Sequence, residues 1–579
     1  MNTRTVLLLL ALSFALAAST RGADQYWDTS AAAGWQHGNG VWSTAPGDTN
    51  WSPISGTALG GWSNTNSAYF SGTGGRSRVL VDGADIAASA VRINGSGYDL
   101  VVTNGARLAS TNLFIVGFSD AFSTNNRLQV IGGEGVTSRV SHTGSFWISY
   151  AGNGNSAIVD GQGFKDSAVL TNDGDIMLGY THSSSMSGLV TVCRGGRLFA
   201  KNVSIGRSSP FNRLIVSEGG LLDAAALDVG NGTNGDDSNT LYVTDSGTLI
   251  SPTVLRIGGR RKGNKAIIAN GAIVTNVATL QVGDTATLDA LLIITNGGRF
   301  YSTGVIDFGN VGAVACTGLV TGADSLWNPG AATFQVGEGT NNVIQVEHGG
   351  LITNAGAVRI GASATARGNR LVISAGGRVY SKAASAIGYT AGTADNAALA
   401  TGSGSLWDLG FQNLAIGATN APGNALTVAD AARVENVALL TAASNNTLEL
   451  LGGTLVSAQA TLQAASDCVI GVAAATTPGA GWGFLAVTNG ALMLGGTLKP
   501  TLLDDYVPAS SDRFVIMTNE GPGSVAGVFA NAGNGQAVAV YDSAGVQEGL
   551  SFTVEIGAKG VTLSGFRGRR DPGSLIIFR

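Results

Sequence analysis

Four histidines, three cysteines, two acidic doublets and a crowd of tryptophans are the residues here whose chemistry could reach beyond packing. Acid–base or metal work needs several such groups gathered in one place. His37, His142, His182 and His348 are spread along 579 residues, and Asp236-Asp237 and Asp504-Asp505 fall in turn-like stretches. Cys193, Cys316 and Cys468 have no Cys-x-x-Cys or Cys/His spacing, which argues against zinc. There is no G-x-S-x-G, H-E-x-x-H, phosphate-loop or G-G-x-G-x-D motif. The expectation is therefore no catalytic residue, no cofactor and no metal. The tryptophans differ, because Trp27, Trp35, Trp42 and Trp51, with Trp62 close behind, account for five of the nine in the chain. Indole faces can stack on sugar rings, which makes the first four weak candidates for glycan contact. They can equally fill the open end of a stacked array, which must be covered whatever the function.

The elements that would position these residues come from a repeat. Its clearest copy is NRLVISAGGRVYS at residues 369–381, closing on Ile387-Gly388. Leu371, Ile373 and Val379 share one parity of a two-residue alternation, so in strands they face one side, and Gly376-Gly377 supplies the corner. Other copies open at Asn212, Asn239, Asn264, Asn342, Asn424 and Asn446. A second anchor, an apolar residue followed by glycine, recurs from Leu178-Gly179 through Ile205-Gly206, Val229-Gly230 and Ile257-Gly258 to Ile416-Gly417, at intervals of 24 to 29 residues. Units this short cannot bury their own apolar face, but stacked coils can. The spacing predicts an all-β, right-handed parallel β-helix over residues 99–465. A Trp-rich cap and first strands would occupy 24–98, and a C-terminal β-strand capping module 466–566.

The L-x-V-x-x-G-G-x-L units, interleaved with GADSLW at 322–327 and GSGSLW at 402–407, resemble the β-helical repeats of type V secretion (autotransporter) passengers and PEP-CTERM-associated proteins. The W…GxW…NW opening and the closing LGGTL…P…D-x-F-x-I order resemble the same passengers. The resemblance implies a secreted or surface-displayed bacterial protein and no particular reaction. Neither a translocator barrel nor a PEP sorting tail is read in the sequence, which ends in a basic and then apolar tail at 567–579.

Composition and targeting agree with an extracellular rod. Only 12% of residues are charged and 86 are glycine, which suits many tight corners without stacked like charges. The net charge of −5 argues against a nucleic-acid partner. Residues 1–23 read as a signal peptide, with Arg4 ahead of an apolar run shorter than a membrane span, and no membrane-spanning helix is expected in the mature chain. Cys193 and Cys316 would lie about five coils apart, over about 20 Å at about 4.8 Å per coil, too far for a disulfide. Arg256, Arg260, Arg261, Lys262 and Lys265 form a basic run read as a solvated loop. The residue before the glycine corner is Arg194, Glu218, Asp245, Asn270, Asn296, His348 and Ala375 in the aligned copies. Such mixed chemistry predicts a solvated corner rather than a site. Trp147, Trp327 and Trp407 share a small-residue-then-aromatic context and are expected in one packed row.

These features give two readings. The first is a secreted, non-catalytic, adhesin-like or structural passenger at the outer cell surface, in the medium or in the periplasm. The alternative is an extracellular polysaccharide-binding or polysaccharide-degrading, lyase-like β-helix. Polysaccharide is the partner class in either case.

Overall fold

Five-residue runs that alternate apolar and polar side chains suit strands that bury one face. The computed structural model describes residues 22–568 apart from 56, 73, 119–122, 181–185, 231, 233–236, 260 and 419, and shows strands with no helix among them. The predicted leader and the end of the tail lie outside the described residues, as do His182, Asp236 and Arg260. The chain divides into two compact units, residues 1–201 and 202–579. Its coils amount to a β-solenoid of about 16 turns with mostly parallel pairing.

In the second unit a coil has three short strands. Val343–Glu347, Leu351–Ala355 and Val358–Ile360 are followed by Arg370–Ser374, Arg378–Ser381 and Ser385–Ile387, then by Ala397–Thr401 and Leu406–Ile416. The register puts Ile344 on Leu371 on Ala398, Ile352 on Val379 on Trp407, and Arg359-Ile360 on Ala386-Ile387 on Ala415-Ile416. Leu371, Ile373 and Val379 are buried as their parity requires. In-register stacking turns each sequence position into a row, so the interior is a set of buried apolar columns.

Two corners hold the coil shut. At the first, the backbone enters the left-handed region at Ala375 (φ 47) and Gly376 (φ 80), while a Cβ on Gly377 would overlap the Val346 carbonyl of the preceding coil. The pair therefore does two jobs, one conformational and one steric. The column ahead of it, Arg194, Glu218, Asp245, Asn270, Asn296, His348 and Ala375, is left-handed throughout, with φ between 47 and 77.

At the second corner the two sequence anchors meet. Asn342, Asn369, Asn396, Asn424 and Asn446 are buried on successive coils. Each Oδ1 after the first accepts from the backbone N–H and the side-chain amide of the asparagine before it, at 2.9 to 3.2 Å. The glycine of Val336-Gly337, Ile387-Gly388 or Ile416-Gly417 lies against one of these amides, where a Cβ would collide with it. Asn212, Asn239 and Asn264 form a second ladder. The column breaks where Ala290 and Cys316 take the asparagine position, and the Asn264 Nδ2 next to the break has no hydrogen-bond partner among the described residues. Cys316 keeps only the backbone part of the pattern, its N–H donating to Asn342 Oδ1 at 3.0 Å.

In the first unit, parallel pairing already runs through residues 24–98. Asp24–Trp27 pairs with Ser67–Phe70, and Ser77–Asp82 with Tyr98–Thr103. One corner among these coils turns at a single glycine, Gly83 (φ 60). Near the other end of the second unit the pairing changes. Arg513–Asn519 and Gly545–Gly557 both pair antiparallel with Gly560–Arg567, and Ala537–Asp542 pairs antiparallel with Gly545–Gly557.

Candidate binding surfaces

The tryptophans that could have stacked on sugars are mostly closed in. Trp27 and Trp42 have 0% of their surface exposed and Trp51 1%. They pack with Trp62 and Phe70 at centroid separations of 4.7 to 6.1 Å, largely edge to face, the arrangement the ring quadrupole favours. A glycan contact needs an open ring face, and these three have none; Trp35 alone of the four is part exposed. The physical reason is that the strands Asp24–Trp27 and Trp51–Ser52 pair with each other and turn their indoles inward. Trp327 and Trp407 share an inward column three coils apart, and their indole N–H groups donate to Ser302 Oγ at 3.5 Å and Ser381 Oγ at 3.0 Å. Trp147 does not join them. It pairs with Ile115 and Met177 on the outward side of another strand.

That outward side carries the aromatic surface that the tryptophan count alone does not reveal. Trp35 stacks on Tyr26 at 4.2 Å and 7°, and Tyr26 on Tyr69 at 4.9 Å. The Arg92 guanidinium sits between the Tyr69 ring, 5.3 Å away, and the Phe118 ring, 5.8 Å away. Phe118, which is 36% exposed, stacks on Tyr150 at 5.4 Å, and Tyr150 on Tyr180 at 5.2 Å, with Trp147 against both. Tyr26, Tyr69 and Arg92 are register partners on successive strands, which is why their side chains stack. Most of these rings turn their faces to each other, so the row offers edges, phenol hydroxyls and one cation to the outside. The signal for it lay in tyrosine and phenylalanine at repeat-equivalent positions.

The titratable groups are dispersed. His142 is buried, its Nε2 3.1 Å from the Ser145 carbonyl and its Nδ1 2.8 Å from Ser110 Oγ and 3.2 Å from the Ser110 carbonyl; burial lowers its pKa, partly offset by the two carbonyls. His37 lies on the Tyr98 ring at 4.3 Å, and burial lowers it too. None of the three cysteines forms a disulfide, and burial pushes the Cys316 and Cys468 thiols up to about 12. In the basic run Arg256 pairs with Asp228 at 3.0 Å, Arg261 and Lys262 are exposed, and Lys265 lies on the outer face of the strand Lys265–Ala269. One carboxylate pair stands out. Asp307 and Glu338 lie on successive coils beside Gln335 and Arg359; burial raises Asp307, and burial followed by the Asp307 charge raises Glu338. No group of three histidine, cysteine, aspartate or glutamate side chains able to hold a metal occurs among the described residues.

No protein-family model matches the chain. A curated relative is the adhesin BmaC autotransporter of Brucella suis biovar 1 (strain 1330), 24% identical over 337 residues, which is 55% of this chain and 9% of that adhesin. The chain is similar to part of an autotransporter adhesin. The matched stretch is thus a small fraction of that protein, and the parallel β-solenoid agrees with the passenger-like repeats of the sequence.

Proposed function

We propose that the chain is an adhesin-like β-helical passenger displayed at or released from the outer cell surface, exported through the signal at residues 1–23 and acting by contact rather than catalysis. The observation that carries this reading is the similarity to the autotransporter adhesin over 55% of the chain, joined to a solenoid built from short coils. Its contact surface is the outward row Trp35, Tyr26, Tyr69, Arg92, Phe118, Tyr150 and Tyr180, and its partner class is an extracellular or cell-surface polysaccharide. Ring edges, hydroxyls and the guanidinium would hydrogen-bond to sugar oxygens, with the open face of Trp35 left for stacking. Antibody to the mature chain should label intact producing cells, and removal of the chain should lower attachment to glycan-coated surfaces. Labelling only after permeabilisation, with attachment unchanged, would sink the reading.

A second reading, a polysaccharide-degrading activity, is favoured by one feature. Asp307 and Glu338 lie on successive coils, and burial, joined at Glu338 by the Asp307 charge, raises both, so that one could hold a proton as general acid while the other ionises as the base. Release of reducing ends by the wild-type chain, lost in Asp307→Asn and Glu338→Gln, would establish it.

A further inference from the structure

Over eight coils of the second unit the outer face of the first strand is apolar but for Gln345, where solvent would ordinarily select polar residues. Its central column reads Ile215, Tyr242, Ile267, Ile293, Leu319, Gln345, Val372 and Leu399, in unbroken register; beyond them the same column turns polar at Thr427 and Glu449. All eight side chains are part exposed. The outward column of another face of the same coils reads Asp228, Arg256, Gln281, Asp307, Gln335 and Arg359, so the apolar character belongs to one face and not to the repeat.

Within the strands the outward charges at the two edges differ in sign. Along the edge where the strands begin they are Arg213, Lys265 and Arg370, with the corner carboxylates Asp289 and Asp395 two residues ahead of their strands. Along the edge where they end, the charged residues are Glu218, Asp245 and Glu347, with His348 beside the last. Arg213, Lys265 and Arg370 make no ion pair among the described residues.

We infer that this face is the interface of a two-fold symmetric pair of chains. A two-fold axis parallel to the coil axis places each strand over the same strand of the second copy, reversed in direction, so the basic edge of one copy lies over the acidic edge of the other. Arg370 then faces the coil of the partner's Glu347, one rung away, and the central aliphatic columns of the two copies pack on each other. Eight strands at about 4.8 Å spacing, about five residues wide at about 3.3 Å each, give a face of about 34 by 16 Å. Two such faces cover about 1,100 Å², above the roughly 1,000 Å² a specific interface needs. A sugar chain would gain little from a flat aliphatic strip, which favours a second copy over a glycan as the occupant.

The test is sedimentation velocity of the full mature chain from nanomolar to micromolar concentration. The wild type should pass from monomer to dimer. Ile293→Lys with Leu319→Lys should remain monomeric at every concentration while keeping the wild-type circular dichroism and melting temperature, since both side chains point outward. Gln281→Lys, on the other face, should leave the dimer intact. Arg370→Glu should weaken association at least tenfold, and Arg370→Glu combined with Glu347→Arg should restore it. A wild-type chain that stays monomeric overturns the proposal, as does a dimer that tolerates both lysines or is not rescued by the charge exchange.

Discussion

Replacing Asn369, which is fully buried, with alanine takes four hydrogen bonds out of its corner. Asn369 Oδ1 accepts from the Asn342 backbone N–H at 3.0 Å and from Asn342 Nδ2 at 2.9 Å, while its own Nδ2 donates to the Gly339 carbonyl at 2.9 Å and to Asn396 Oδ1 at 3.0 Å. The two Asn342 donors lose these partners in the variant, whereas Asn396 Oδ1 keeps the Asn369 N–H at 3.1 Å. At about 1–3 kcal/mol for each buried group left unsatisfied, the loss should be about 2–6 kcal/mol. Asn369→Asp keeps the shape but sets a carboxylate oxygen against two acceptors, the Gly339 carbonyl and Asn396 Oδ1. It should cost more than alanine at pH 8. Burial among acceptors raises that carboxyl above the usual ~3.9 of the unfolded chain, so the penalty falls on acidification toward pH 5, where a protonated Asp can donate. Urea unfolding followed by circular dichroism, with hydrogen exchange of peptides covering residues 339–374, measures both effects. An alanine variant within about 1 kcal/mol of wild type, or an aspartate variant whose penalty ignores pH, would refute the ladder as a source of stability.

Other consequences follow from the same corners and from the buried groups. Ala290→Asn with Cys316→Asn should join the two ladders, give Asn264 Nδ2 an acceptor and stabilise the chain by about 1–3 kcal/mol, read as a higher urea midpoint. Gly388→Ala adds a Cβ at φ 70 against the Asn424 amide and should cost about 3–5 kcal/mol, more than Gly376→Ala, whose Cβ would meet nothing within 4 Å. His142 and His37 have pKa values lowered by burial, so the unfolded chain takes up protons first. The first unit should lose stability as pH falls below about 6.5, seen as a lower melting temperature at pH 5 than at pH 7.5. Cys316 and Cys468 should resist Ellman's reagent in the folded chain and react after denaturation.

The fold was legible because a solenoid writes its geometry as a period. The parity of Leu371, Ile373 and Val379 and the spacing of the apolar-glycine anchors needed no tertiary information, since each coil packs on a near copy of itself. What stayed hidden was what passes between coils. The asparagines that open the repeats were visible as a column, but that they bond to one another, and that the glycines make room for their amides, depends on contacts between coils, 22 to 28 residues apart for the asparagine pairs. The left-handed turn was assigned to glycine alone, whereas Ala375 shares it, because the neighbouring coils fix the corner more strongly than alanine's own preference opposes it. The outward aromatic row was harder still. Counting tryptophans pointed at Trp27, Trp42 and Trp51, which are buried, and passed over Tyr26, Tyr69 and Arg92, whose significance lies in their register.

The central claim is that successive repeats stack one coil per rung. Gln281 and Thr441 lie on one outward column, linked through Asp307, Gln335, Arg359, Ala386 and Ala415. Six rungs at about 4.8 Å separate them by about 29 Å. Spin labels on Gln281→Cys and Thr441→Cys, with Cys193 replaced by serine and Ile293→Lys and Leu319→Lys added to keep the chain monomeric, report this distance by double electron–electron resonance. A single distribution near 29 Å is the predicted result. A broad distribution, or a distance beyond about 40 Å, would contradict the stacking on which every surface described above depends.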